Sequence, residues 1–116
     1  MKNLKTIIFS LSIAPLLIMN NINAECIYPK KNFVIPSGKN STKDEMLEVM
    51  DKFKTLQADL ESYRSCLLEE EAAIPTDAEN YDELLRIIVS KHDGSIEEET
   101  AIADEWNEAV RAYNSQ

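Results

Sequence analysis

Residues 42–75, TKDEMLEVMDKFKTLQADLESYRSCLLEEEAAIP, decide the fold of this chain. Thr42 opens a T-K-D-E run. Its hydroxyl is placed to accept from the backbone three residues on while Glu45 reaches back to Thr42, the reciprocal arrangement of a capping box. Asp44 and Glu45 also put negative charge at the positive end of the helix dipole. Beyond them Met46, Val49, Phe53, Leu56, Leu60, Tyr63 and Leu67 recur in steps of three and four, a heptad seam with Lys, Asp, Glu and Gln on most of the other faces. Pro75 stops the helix, because the residue before a proline is pushed out of helical backbone. The spacing predicts a helix over about 42–73. The acidic run Glu69–Glu71 falls in its last turns, where acids oppose the dipole and favour fraying.

Downstream, Thr76 or Asp77 can cap a second helix running from about 77 to 113. Its stripe is Tyr81, Leu85, Ile88, His92, Ser95, Glu99, Ile102, Trp106, Ala109 and Tyr113, again alternating four and three, but polar in its middle. Gly94 sits in that middle and costs about 1 kcal/mol relative to alanine. Ser95–Glu98 could itself cap a helix start. We read one helix bent near Gly94 in preference to two helices broken at Asp93-Gly94. Two long helices joined by a short turn form an antiparallel hairpin. With the turn near Pro75, residue i of the first helix faces about 150 − i of the second. Tyr63 then meets Ile88, Phe53 lies near Ile96 and Glu99, and Met46 and Val49 lie near Ile102 and Trp106.

Upstream, residues 25–41, ECIYPKKNFVIPSGKNS, carry two prolines and Gly38 and show no helical periodicity, which describes an extended arm. Cys26 and Cys66 are the two cysteines of the chain. In an oxidising compartment such a pair forms a disulfide, and the loop it closes is worth about 4 kcal/mol in the chain-entropy model. There is no C-x-x-C, and one histidine leaves too few soft ligands for structural zinc. From Thr42 to Cys66 a helix rises about 36 Å, and the arm from Cys26 to Thr42 reaches up to about 53 Å. It is long enough to run back along the first helix, with Ile27, Tyr28, Phe33, Val34 and Ile35 as its apolar edge. The expected fold is all-α: a long antiparallel two-helix hairpin over 42–116, with an extended, proline-containing N-terminal arm stapled to the first helix by the disulfide.

Residues 1–24 read as a cleavable signal peptide: Met1, Lys2 and Lys5, the apolar run TIIFSLSIAPLLIM, then the small residue Ala24 before the cut. The apolar run is shorter than the roughly 20 residues of a membrane span and contains Pro15. Glu25, standing directly before Cys26, is not the small residue a lipoprotein signal requires. The reading is therefore an exported protein, periplasmic or secreted, without a stable membrane anchor after cleavage. The full chain carries a net charge of −9. Loss of the two leader lysines takes it to −11. Such a surface repels phosphate backbones and anionic lipid heads, which argues against binding nucleic acid or a membrane surface.

The chemistry-bearing residues are few. His92 is the single histidine. It shares a face with Ser95 and Glu99, but seven residues put Glu99 about 10 Å along the axis. Ligands for an ion would have to come from Asp51, Thr55 or Asp59 on the first helix or from another subunit. The runs Glu69–Glu71 and Glu97–Glu99 diverge by about 100° per residue and read as solvated faces. There is no G-x-S-x-G, and Gly38 and Gly94 are too few for a phosphate loop. We expect no enzyme, no cofactor and no metal, and a structural or protein-interaction module acting through its helical faces. The alternative is a small-ligand or cation-binding module centred on His92, Ser95 and Glu99. Leu47, Met50 and Leu68 flank the first seam, and Leu84, Ile87 and Val89 lie off the second. What the arm leaves uncovered suits a homodimer or another periplasmic protein.

The chain resembles a family of small exported proteins of Gram-negative bacteria with two cysteines. The resemblance rests on Cys26 with the arm motif Ile35-Pro36-Ser37-Gly38, on Asp44-Glu45-Met46, and on Tyr63-Arg64-Ser65-Cys66-Leu67. It extends over His92-Asp93, Ile102-Ala103-Asp104, Trp106-Asn107 and Arg111-Ala112-Tyr113, and so covers most of the chain beyond residue 24. At Gly94 and Ser95 the chain departs from a plainer, alanine-rich helix, which supports a continuous second helix. The resemblance implies fold and location and no particular activity.

Overall fold

The computed structural model describes residues 25–116, so the signal peptide read at 1–24 lies outside the described residues. Two helices make the framework, α1 over Lys43–Ala73 and α2 over Tyr81–Asn114, and there is no strand among the described residues. The capping box at the start of α1 is formed: the Glu45 amide donates to Thr42 Oγ1 at 3.2 Å and the Thr42 amide donates to Glu45 Oε2 at 2.8 Å. Four backbone amides at a helix start lack helical partners by geometry, and this reciprocal cap satisfies two of them. At the far end the helix holds through Glu69–Glu71 to Ala73, where the Ile74 amide closes on Glu71 O at 3.2 Å and Pro75 follows.

The connection is longer than the sequence suggested, and this corrects the expected start near residue 77. Neither Thr76 nor Asp77 caps α2. Two successive turns intervene, with the Ala78 amide donating to Pro75 O and the Tyr81 amide to Ala78 O, each at 3.1 Å. A Pro-Thr-Asp sequence is good turn material, and it folds as a turn before a helix can begin. Asn80 stands at the N-cap with no side-chain cap bond. From Tyr81 the helix then passes through Gly94 unbroken.

The late start of α2 shifts the pairing of the helices. Met46, Phe53, Leu60 and Leu67 are buried at intervals of seven on α1, and Ile88, Ser95, Ile102 and Ala109 at intervals of seven on α2. Taken in antiparallel order, Met46 pairs with Ala109, Phe53 with Ile102, Leu60 with Ser95 and Leu67 with Ile88. Residue i thus faces about 155 − i, five positions beyond the register that a turn centred on Pro75 would give. The core clusters agree. One holds Met46, Phe53, Leu56, Leu60, Ile102 and Ala109 together with Phe33 and Ile35. The other, toward the turn, holds Tyr63, Leu67 and Ile88 with Cys26 and Ile74 against them.

Residues 25–42 form neither helix nor strand, yet they contribute to both clusters. The disulfide joins Cys26 to Cys66 of α1 with 5.7 Å between Cα atoms, and the Cys26 amide donates to Glu70 Oε1 at 3.1 Å. The Phe33 ring lies 6.4 Å from that of Phe53, tilted by 54°. At the other end of the segment Gly38 takes φ +78°, the left-handed region where glycine is at ease. Its amide donates to Ser41 Oγ at 3.1 Å, and the Gln116 side-chain amide donates to Ser41 O at 2.9 Å. Gly38 presses on α2 so closely that a Cβ there would stand 2.0 Å from the carbonyl oxygen of Ala109.

The two glycines of the chain therefore predict opposite outcomes. Gly38→Ala meets backbone at a positive φ and should lower stability by more than about 2 kcal/mol. Gly94→Ala sits in a helix interior with nothing within 4 Å of the added carbon and should raise stability by about 1 kcal/mol. Denaturant melts of the two variants beside the parent check both signs.

Candidate functional site

The polar middle of α2 falls between the two apolar clusters. Ser95 is fully buried opposite Leu60. A helix-interior serine commonly turns its hydroxyl back to the preceding turn, and Ser95 Oγ donates to His92 O at 2.7 Å. It also accepts from Arg64 Nη1 at 3.4 Å. The second guanidinium nitrogen of Arg64 stands 3.6 Å from Glu99 Oε2, with the two side chains 18% and 24% exposed. One arginine thus spans the interface and satisfies a buried hydroxyl and a half-buried carboxylate together. No buried side-chain polar atom is left without a partner among the described residues.

Tyr28 closes the same level from the N-terminal segment. Its hydroxyl donates to Glu98 Oε2 of α2, and its ring stands edge-on to Tyr63 of α1, 4.9 Å between centroids and 72° between planes. Burial pushes the Tyr28 phenol up from 10.0 to about 12. The hydrogen bond to the Glu98 carboxylate and that group's charge add to the effect, Tyr63 adds further, and Arg64 opposes it. Near neutral pH the phenol is a hydrogen-bond donor and not a base. The arrangement ties three chain segments at one level.

Of the residues picked out as a possible ligand set, the fold brings Ser95 and Glu99 together through Arg64 but leaves the His92 ring aside. His92 supplies its backbone carbonyl to Ser95, while its Nδ1 lies 3.5 Å from Asp93 Oδ1 on the exposed side. Asp51, Thr55 and Asp59 are all exposed, and Thr55 Oγ1 donates to Asp51 O at 3.1 Å. Among the described residues no three His, Cys, Asp or Glu side chains are grouped to hold a metal ion. Arg64, Tyr28 and Glu98 were not singled out from the sequence as site residues. For Arg64 a signal existed: it is the only basic residue between Lys54 and Arg86, adjacent to the seam residue Tyr63. For the Tyr28–Glu98 bond, 70 residues apart, there was none.

Outside this level the hairpin leaves large apolar side chains in solvent. Leu47, Leu68, Ile87, Val89 and Ile96 are 42–59% exposed, while Met50 and Leu84 are half-buried. No helix among the described residues is long and apolar enough to cross a membrane. Comparison with protein-family models, with curated proteins and with solved structures returns no match.

The raised phenol makes a pH prediction with a definite sign. The unfolded chain ionises Tyr28 near 10.0 and the folded chain near 12, so the contribution is whole below pH 10 and is lost as pH rises through 12. Phenolate absorbance should show one late-ionising tyrosine near pH 12 that Tyr28→Phe abolishes and Glu98→Gln shifts toward 10. A late step that survives in Tyr28→Phe would contradict the assignment.

Proposed function

We propose that this is an exported, non-enzymatic interaction module, periplasmic or secreted, that works through the outer faces of its helical hairpin. The observation that carries the reading is the set of exposed apolar side chains, Leu47, Leu68, Ile87, Val89 and Ile96, on helices whose seams are already filled. Scattered single apolar residues are ordinary on a surface, but Val89 and Ile96 lie one heptad apart on the same face of α2, so their exposed side chains form one apolar strip. The leader pattern at 1–24 and the resemblance to small exported proteins support the location. A disulfide and the lack of a spanning helix among the described residues are compatible with it. Residues 25–41 serve in this reading as an extended strap that stiffens the hairpin and leaves the outer faces free. The partner is a second copy forming a helical bundle, or another exported protein.

Cation binding at His92, Ser95 and Glu99 is the weaker reading, because the guanidinium of Arg64 already stands where a cation would sit. Light scattering on the oxidised protein, combined with cross-linking in the compartment that receives it, tests the module. The expected result is either a dimer mass or a defined cross-linked partner whose yield falls in a Val89→Asp, Ile96→Asp variant of unchanged helicity. A strict monomer that cross-links to nothing would contradict the proposal.

A further inference from the structure

At the turn end of the hairpin a groove of about 540 Å³ opens between α1 and α2. Its floor is apolar, with Ile74, Leu84, Ile87 and Ile88, and its wall includes Cys66 of the disulfide. Its rim carries Glu25, Glu69 and Glu70 against a single cation, Lys91. We propose that this groove docks an apolar segment flanked by lysine or arginine, an amphipathic basic helix of a partner protein. The proposal rests on the interaction-module reading and names its face and the chemistry of its partner.

Three observations converge on a cationic occupant. The carboxylates on the rim outnumber the single ammonium by two. The last turn of α1, which ends at this groove, contains no basic residue, so the negative end of its dipole is uncompensated. Glu69, Glu70 and Glu71 stand in that same stretch, where each acid works against the helix, and still the helix runs intact to Ala73. An acid that costs the helix stability without an internal counterpart, such as Glu70 has but Glu69 has not, is the mark of a surface kept for something outside the chain. One of the acids is used internally, since Glu70 accepts from the Cys26 amide; Glu69 and Glu25 are not so engaged and are exposed.

The apolar floor shapes the occupant further. Ile87 is 45% exposed beside half-buried Leu84 and Ile74, a ledge between two helices of the kind that takes the apolar stripe of a third. A second copy of the chain is disfavoured here, because a two-fold contact would set this acidic rim against itself. Anionic lipid is excluded by the same charge. The disulfide belongs to the site as well, because it holds Glu25 and Cys26 against α1 at the groove wall.

The test uses the oxidised protein expressed from the full chain and a labelled helical peptide of leucine and lysine, read by fluorescence anisotropy beside a leucine and glutamate counterpart. The basic peptide should bind and the acidic one should not. Glu25→Gln with Glu69→Gln should weaken binding about fivefold at low salt while raising the melting temperature, because the substitution removes an acid from a helix C-terminus. Ile87→Ser should weaken binding about tenfold with little change in the melt. Equal binding of both peptides, or binding indifferent to Ile87→Ser, would overturn the groove. A cross-linked partner whose capture Ile87→Ser leaves undiminished would also overturn it, while the interaction-module reading stood. Failure of the wild-type protein to cross-link to anything would instead count against that broader reading.

Discussion

Two helices side by side share one interface, and each leaves the rest of its apolar stripe facing water. The Cys26–Cys66 bond changes that: once Cys26 is fixed to α1, Tyr28 is at hand for Tyr63 and Glu98, and Phe33 and Ile35 enter the core beside Phe53 and Ile102. A bond closing a loop of this length is worth about 4 kcal/mol, comparable with the whole stability of a marginal small domain. The far end of the segment is fastened differently, by the close approach of Gly38 to Ala109 and by the Gln116 side chain at Ser41. Covalent at one end and hydrogen-bonded at the other, the segment gives the hairpin its third wall.

Within the hairpin the level of Leu60 and Ser95 sets the register. Both side chains are fully buried, one large and apolar, the other small and polar, and Arg64 reaches the serine from α1. Slipping the helices by a heptad would put Ser95 against Phe53 or Leu67 and strand its hydroxyl and the arginine, at the cost of an unsatisfied buried group. Polar groups in a helical seam serve this purpose elsewhere, trading some stability for a single pairing. The same level is where the N-terminal segment crosses through Tyr28, so register and strap are coupled.

The features legible in the sequence were the ones that neighbours in the chain decide. Thr42 and Glu45 cap α1 as their spacing required, Pro75 bounded it, and the heptad positions from Met46 to Leu67 became its buried face. The disulfide and the continuous helix through Gly94 also followed from local or compositional signals. The late start of α2 did not, because Thr76 and Asp77 suit a turn as well as a cap, and only packing chooses between them. That choice moved the register by five residues. The site was less legible still. Ser95 and Glu99 were visible as a polar break in a stripe, but their partner Arg64 reaches them along a flexible side chain from another helix, and Tyr28 reaches Glu98 across 70 residues. Periodicity reports which face is buried and says nothing about which long polar side chains meet across it.

The central claim is that the disulfide organises the core at a distance and not only beside itself. Hydrogen exchange followed by mass spectrometry, on the oxidised protein and after dithiothreitol, tests it most directly. The account predicts that reduction speeds exchange around Phe53 and Ile102, where Phe33 and Ile35 pack, as well as around Cys66. Faster exchange confined to the turn end near Cys66, with the amides around Phe53 and Ile102 unchanged, would contradict it.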